Sequence, residues 1–434
     1  MGNDARLLSE LFYDGLQAVD PYYSTALHAE KIRSIYQRNS CEKLYTVGFG
    51  KAACRMYKAI EDKMPLPVDS GFLITKYGHC DSGHPGVTVY EAGHPLPDEN
   101  GMRGTGEIIN LLATADNRTL VVFLISGGGS ALLVSPYSGI SLNEKRTVTD
   151  LLLRAGADIH ELNTVRKHIS GVKGGRLAEI SHPAWMISLI LSDVIGDRLD
   201  VIASGPTSPD LATYADALTV LDKFRLLEKI PRSIHEILQN GANGLIPETP
   251  KAGSAIFDKV ENIIIGSNRK AVEGAKKKAE LMGFITEIIS SEISGEAGET
   301  AKWLAQKAIG VKKGAGNYRR PLCLLSGGET TVKVRGSGLG GRNTELALEF
   351  AIEIDGYDGI TLLSAGTDGT DGPTDAAGAI VNGSTAGKAR AMGLDPHEYL
   401  RNNDSYSFFK KTGELLITGP TGTNVMDIQI IMIK

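Results

Sequence analysis

Residues Leu120–Ile125 form an unbroken apolar run that stops on Ser126-Gly127-Gly128-Gly129-Ser130. A short run without polar alternation predicts a strand covered on both faces, as in a parallel sheet wrapped by crossover helices. The pattern recurs. Leu44–Val47 runs into Gly48-Phe49-Gly50, Trp185–Leu191 into Ser192-Asp193, and Thr361–Ser364 into a loop rich in glycine and threonine. Glycine at a strand end lets the backbone turn tightly or approach a ligand closely. The chain has 51 glycines among 434 residues, above the average share of about 7%, and they gather at such ends rather than in a repeat.

A chain this long exceeds one typical domain. Between Gly241 and Asp258 the sequence turns polar, NGANGLIPETPKAGS, which is the best boundary segment. Before it, strands at Leu44–Val47, Gly71–Thr75, Thr88–Tyr90, Leu120–Ile125 and Trp185–Leu191 alternate with helices near Met102–Leu112, Asn143–Arg154, Gly171–Ile180 and Ala212–Phe224. After it comes a second series from Ile263–Ile265 onward, with a hairpin of Leu322–Leu325 and Thr330–Val334, and closing strands at Leu415–Thr418 and Asp427–Ile433. The expectation is two α/β domains. Residues 1–240 form a Rossmann-like parallel-sheet domain, 241–258 the boundary, and 259–434 a mixed-sheet domain, with an interdomain cleft. The amphipathic helix Asp4–Val19 could pack on either.

A net charge of −5 argues against nucleic-acid binding, which calls for a basic face. No apolar stretch approaches the roughly 20 residues that span a bilayer. Cys41, Cys54, Cys80 and Cys323 show no Cys-x-x-Cys pairing, so neither a disulfide framework nor a zinc site is expected, and a cytoplasmic setting fits. No basic and apolar leader opens the chain, which points the same way.

Four segments carry the chemistry. The Ser126–Ser130 loop can turn consecutive backbone N–H groups on an anion, and it lacks the Gly-Lys-Ser/Thr closure of a Walker A loop. Lys51 follows a glycine turn at an expected helix start, where a cation opposes the helix dipole unless it faces an anion. Leu162–Glu179 packs Arg166, Lys167, His168, Lys173 and Arg176 around three glycines, a set suited to phosphate oxygens. Asp193 and Asp368 stand where strands end, as carboxylates that hold Mg²⁺ on a nucleotide do. Gly336, Gly338 and Gly341 satisfy Gly-x-Gly-x-x-Gly. The hairpin before them and the missing acid at the next strand end argue against a dinucleotide site, and the stretch reads as an anion or transition-state loop with Arg342 at the following helix start. His94 reads as structural or supporting rather than as a base.

In these motifs the sequence resembles the glycerate 2-kinase family whose C-terminal half is the MOFRL domain. The matching segments are VGFGKAA, AGHPLPDENG, LISGGGSALL, LNTVRKHISGVKGGRLA, LSDVIGDRLDVIASGPTSPD, LSGGETTVKVRGSGLGGRN and SAGTDGTDGPTDAAGAI, in order and nearly end to end. The resemblance implies phosphorylation of D-glycerate at its 2-hydroxyl by ATP and Mg²⁺, giving 2-phosphoglycerate and ADP. It implies an active site in the interdomain cleft and places the family's active-site lysine and arginine on Lys51 and Arg342. Ser126, Gly127, Gly128, Gly129, Ser130, Lys167 and Lys173 are then the expected phosphate or carboxylate ligands, with Asp193 and Asp368 for the metal. The expected partner is a small molecule, not nucleic acid or membrane, with a homodimer as one option for assembly. Two alternatives stand beside this: an NAD(P)-dependent hydroxypyruvate reductase, on the strength of Gly336–Gly341, and a non-catalytic sensor of nucleotides or sugar acids.

Overall fold

A computed structural model describes residues 2–80, 83–318 and 320–434. The chain divides into two compact bodies. One comprises Pro21–Ser192 and Asp197–Ile265; the other gathers the N-terminal stretch up to Asp20, Asp193–Gly196 and Gly266–Lys434.

The first body is built on a six-stranded sheet. Its strands are β1 (Lys43–Phe49), β2 (Ser70–Lys76), β3 (Thr88–Ala92), β4 (Thr119–Ile125), β5 (Trp185–Leu191) and β6 (Val260–Gly266), in the spatial order β3-β2-β1-β4-β5-β6. Strands β1 to β5 pair in parallel, with Phe49 opposite Ile125 at the ends of β1 and β4. This is the doubly wound order, in which the winding reverses between β1 and β4 and ligands sit beyond the carboxyl ends of those strands. All seven residues of β4 are buried, as its unbroken apolar run predicts. β6 belongs to this sheet, so the polar 241–258 stretch runs on into the sixth strand of the first sheet. Helices Ile159–His168 and Arg232–Ala242 also belong to this body, and the sequence reading passed over both. Only Arg176–Ser181 of the expected Gly171–Ile180 helix is helical, because Gly174 and Gly175 adopt positive φ.

The second body holds a mixed sheet of β7 (Ile285–Glu296), β8 (Leu322–Thr331), β9 (Ile360–Gly366), β10 (Gly378–Asn382), β11 (Leu415–Leu416) and β12 (Asp427–Ile433), ordered β11-β10-β9-β12-β8-β7. Only β7 and β8 pair in parallel; β12 lies antiparallel between β8 and β9. The expected hairpin at Thr330–Val334 does not form. β8 continues straight to Thr331, because β7 extends alongside it as far as Glu296. The helix Asn3–Gln17 packs in this body, burying Leu8, Leu11, Phe12 and Leu16 with Ala271, Val272, Ala275 and Ala279 of the helix Asn268–Leu281. Gly15 and Gly274 allow the close crossing, since a side chain on Gly274 would strike Ala18.

The cysteine expectation needs correction. Cys54, in the first turn of helix Ala53–Lys63, is disulfide-bonded to Cys80 in the segment after β2. Nothing in the spacing signals this pair, which the sheet brings together by setting β2 beside β1. His84 lies against the two sulfurs, but these are bonded to each other and do not form a zinc site. The bridge closes a loop with a sequence separation of 26, which predicts about 3 kcal/mol of stability from reduced unfolded-chain entropy. Urea unfolding with and without dithiothreitol should show that loss, and Cys54→Ser should be equally destabilised and insensitive to the reductant.

Candidate active site

The ends of β1 and β4 are tied together at the reversal point. Ser126 N–H donates to Phe49 O (3.1 Å), Lys51 N–H to Gly127 O (2.9 Å) and Ala52 N–H to Ser126 Oγ (3.0 Å). Gly50 has φ 126°, and a side chain there would run into Ser126. Gly128 has φ 83°, and a Cβ on it would meet the His94 ring, with Lys51 beside it. The amides of Gly127 and Gly128 find no acceptor among the described residues. The helix that follows, Gly129–Leu132, is a single turn of four residues, so the loop's own amides matter here and a helix dipole does not.

The field at this point is positive. Burial lowers the His94 imidazole to about 4, with Lys51, Lys76 and His79 adding to the effect. His79 is likewise lowered by burial and then by Lys76 and Lys51. Both rings are therefore neutral at pH 7, and Lys51 stands over an open glycine turn, an arrangement that suits an incoming phosphate.

A second cationic group lies on the other side of the loop, at Ser130. Lys173 is fully buried, and its Nζ donates to Ser130 O (2.8 Å), Ser130 Oγ (3.2 Å) and Ala203 O (3.4 Å). Arg166 donates to Ser130 Oγ at 2.7 Å. Lys145, 4% exposed, reaches only Ile169 O at 3.2 Å. Burial, then Arg166, lowers Lys145 to about 7; burial, then Arg166 and Lys145, lowers Lys173 well below its ordinary range. No carboxylate among the described residues pairs with any of the three. Sequence reading missed Lys145. The available signal was its place on the apolar stripe Leu142, Val148, Leu152 of helix Leu142–Arg154.

Other expected ligands fall elsewhere. Lys167 is one residue from Arg166, about 100° around the helix Ile159–His168, and it turns instead to the buried Asp210 at 3.0 Å. Its charge is spent on that pair, so the expected phosphate role is corrected to a structural one. Asp368 closes a turn, its Oδ1 accepting from Thr370 N and Oγ1, both at 3.1 Å. Asp193 follows β5, half-buried, in the short piece grouped with the second body. Neither belongs to a group of three ligand atoms among the described residues. Two single carboxylates of this kind do not make a preformed cage; a Mg²⁺ carried in on a nucleotide would need only one or two of them.

In the second body Arg342 opens helix Arg342–Glu353 and forks onto Asp427 (2.6 and 3.0 Å), with a third bond to Glu329 (2.6 Å). The Gly336–Gly341 stretch is not an anion loop. Arg335 and Gly336 amides donate to Asn403 Oδ1, Ser337 to Asn402 Oδ1, Gly338 to Asn402 O and Leu339 to Asp404 Oδ1. Its glycines exist for close approach, since side chains at Gly336 and Gly338 would strike the backbone of 402–404. The helix start is capped by Asp371, which accepts from Asn343 N (2.9 Å) and Thr344 N (2.8 Å).

These features define a doubly wound sheet whose reversal point carries a glycine turn with open amides, joined in the same chain to a mixed-sheet body. The family model described as a domain of unknown function (DUF4147) matches residues 7–239, and the MOFRL family model matches 322–427. A D-glycerate 2-kinase of Thermotoga maritima is 45% identical over 428 residues, 99% of this chain and 98% of the relative. A solved glycerate kinase structure from that organism superposes with TM-score 0.90, covering 99% of each chain at 45% identity. A protein of Agrobacterium vitis called a putative hydroxypyruvate reductase is 40% identical over 89% of this chain and 86% of its own. The chain belongs to the glycerate kinase family with a C-terminal MOFRL domain.

Burial raises the Asp427 carboxyl to about 6 against the pull of Arg342. A buried acid raised above its unfolded value contributes stability that is complete below pH ~4 and is lost as pH rises through about 6. Above that, Arg342 has to compensate the ionised carboxylate. Arg342→Gln should therefore cost about 2–3 kcal/mol at pH 7, less than for a fully buried pair because Arg342 is partly exposed. Urea unfolding at pH 5 should show a much smaller cost, since Asp427 is then largely protonated.

Proposed function

We propose that this chain transfers the γ-phosphoryl group of ATP to the 2-hydroxyl of D-glycerate, giving 2-phosphoglycerate and ADP. The observation that carries it is the glycine turn of Gly127 and Gly128, with open amides and Lys51 above it, at the strand-order reversal of a chain related over its full length to a D-glycerate 2-kinase. In the transfer the 2-hydroxyl oxygen bonds to the γ-phosphorus, the bond to the bridging oxygen of ADP breaks, and the hydroxyl proton leaves to solvent. Such transfers depend on positioning and charge stabilisation more than on one essential base. The Gly127 and Gly128 amides and Lys51 are assigned to phosphate oxygens, where charge grows in the transition state. His94, kept neutral by burial, closes the turn without adding charge.

Mg²⁺ entering with the nucleotide would supply charge neutralisation on the phosphates, with the Asp193 and Asp368 carboxylates as the proposed protein ligands. ATP as donor makes the cytoplasm the proposed setting. The reductase alternative finds little support in the Gly336–Gly341 loop, because the amides of Gly336, Ser337, Gly338 and Leu339 are already taken by Asn402, Asn403 and Asp404.

A coupled ADP-release assay with D-glycerate, ATP and Mg²⁺, with the product identified by phosphorus NMR, should show 2-phosphoglycerate. Lys51→Ala should lower kcat roughly 100-fold or more with an unchanged melting temperature, on the scale of losing one charge-stabilising donor. NADH oxidation by hydroxypyruvate without ADP formation would sink the kinase reading.

A further inference from the structure

The charge at Ser130 exceeds what phosphate positioning at Gly127 and Gly128 requires, and it lies on the far side of the loop. Arg166 and the buried Lys173 both bond Ser130, and the buried Lys145 lies near Arg166; none of the three has a carboxylate partner among the described residues. Burying a charge without a counterion is costly. The contrast within the same helix is direct: the buried Lys167 has Asp210, whereas the partly exposed Arg166 has only Ser130 among the described residues. Polar groups accompany the cations. Ser130 Oγ lies 2.8 Å from Ser204 Oγ, which donates to Asn163 Oδ1 at 3.0 Å, and both Ser204 and Asn163 are buried.

A second observation is independent of charge. Ala203 and Ser204 have φ of 49° and 64°, followed by Gly205 at 64°, giving three consecutive left-handed residues of which two carry side chains. Each such non-glycine residue costs on the order of 1–3 kcal/mol, and strain of this kind collects at ligand sites. The strained turn presents Ala203 O to Lys173 and Ser204 Oγ to Ser130.

We propose that Ser130 and Arg166, the partly exposed members of this group, form the contact surface of a subsite for the carboxylate end of the hydroxy-acid substrate, with the buried Lys173, Ser204, Asn163 and Lys145 behind them as positioning residues that supply charge and hold Ser130 without touching the ligand. This rests on the kinase reading for the identity of the acid. A planar guanidinium suits a carboxylate, and an adjoining hydroxyl suits a hydroxy acid better than a bare phosphate. The phosphates have their own cationic place at Lys51 on the other side of the loop. The charged groups facing Lys145 are Arg166 and, beyond it, Lys173. Lys145 at about 7 is part-neutral in the empty site and takes up its proton as the acid binds, so binding tightens as pH falls through neutrality.

The test is calorimetric binding of D-glycerate, glycerol and ATP, each separately, to the full chain and to Lys145→Met and Arg166→Gln, between pH 6 and 8.5. Wild type should bind D-glycerate at least ~100-fold more tightly than glycerol, the loss expected when a charge-paired group is removed. Both variants should weaken D-glycerate ~10-fold or more and leave ATP within about twofold. The pH dependence of D-glycerate affinity should be smaller in Lys145→Met than in wild type, an effect a merely structural lysine would not produce. Weakened ATP binding instead would make this a phosphate site and overturn the proposal, as would unchanged affinities or a pH dependence in Lys145→Met as large as in wild type. Tight D-glycerate binding without ADP formation would defeat the kinase reading while leaving the subsite standing; no D-glycerate binding would defeat the subsite.

Discussion

Three hydrogen bonds at the ends of β1 and β4 hold the first body's chemistry in place. With Ser126 bonded to Phe49, Gly127 to Lys51 and Ser126 Oγ to the Ala52 amide, the two loops form one rigid unit. The sheet order makes this unit the place where the winding reverses, so helices leave to opposite faces and a crevice opens beyond the strand ends. Gly50 is what permits the closeness, since any side chain there would displace Ser126. Lys51 owes its position over the glycine turn to this arrangement, and Ser130 is delivered to Arg166 and Lys173 by the single helical turn that follows.

Stability and binding part company in the segment 162–179. Lys167 pairs with Asp210, which also accepts from Thr249 Oγ1 and the Ala212 amide, while His168 pairs with Glu248. The first is a closed ion pair and the second a part-buried hydrogen bond, and together they fix the helix. Arg166 and Lys173 are left over, with only the oxygens of Ser130 and the Ala203 carbonyl to receive them. A buried cation held by neutral acceptors alone keeps an unsatisfied field, and the strained 203–205 turn maintains it rather than relieving it.

Much of this was legible from residue order. The unbroken apolar strands predicted a parallel sheet, and the glycine runs marked where β1 and β4 end. What residue order could not show was partnership. Lys167 and Lys173 look alike in the sequence, yet Asp210, far along the chain, decides that one is neutralised and the other is not. Lys145 resembles a surface lysine until its helix face is known, and Cys54 and Cys80 come together only because β2 sits next to β1. The polar stretch 241–258 looked like a boundary because composition reports solvent exposure. Yet Thr249 and Pro250 are buried, and the first sheet still gains β6 after it.

The Gly-x-Gly-x-x-Gly stretch shows why one motif supports opposite conclusions. In a dinucleotide site the glycines leave amides free so that a pyrophosphate can accept from them. Here Asn402, Asn403 and Asp404 supply the acceptors from within the chain, so the loop is a protein–protein analogue of the same contact. Glycine is needed in both cases for one reason, the close approach of an acceptor to backbone. The discriminating quantity is therefore the fate of the amides. By that measure Gly127 and Gly128, without the full motif, are the better anion turn, and Gly336 and Gly338, with it, are packing residues.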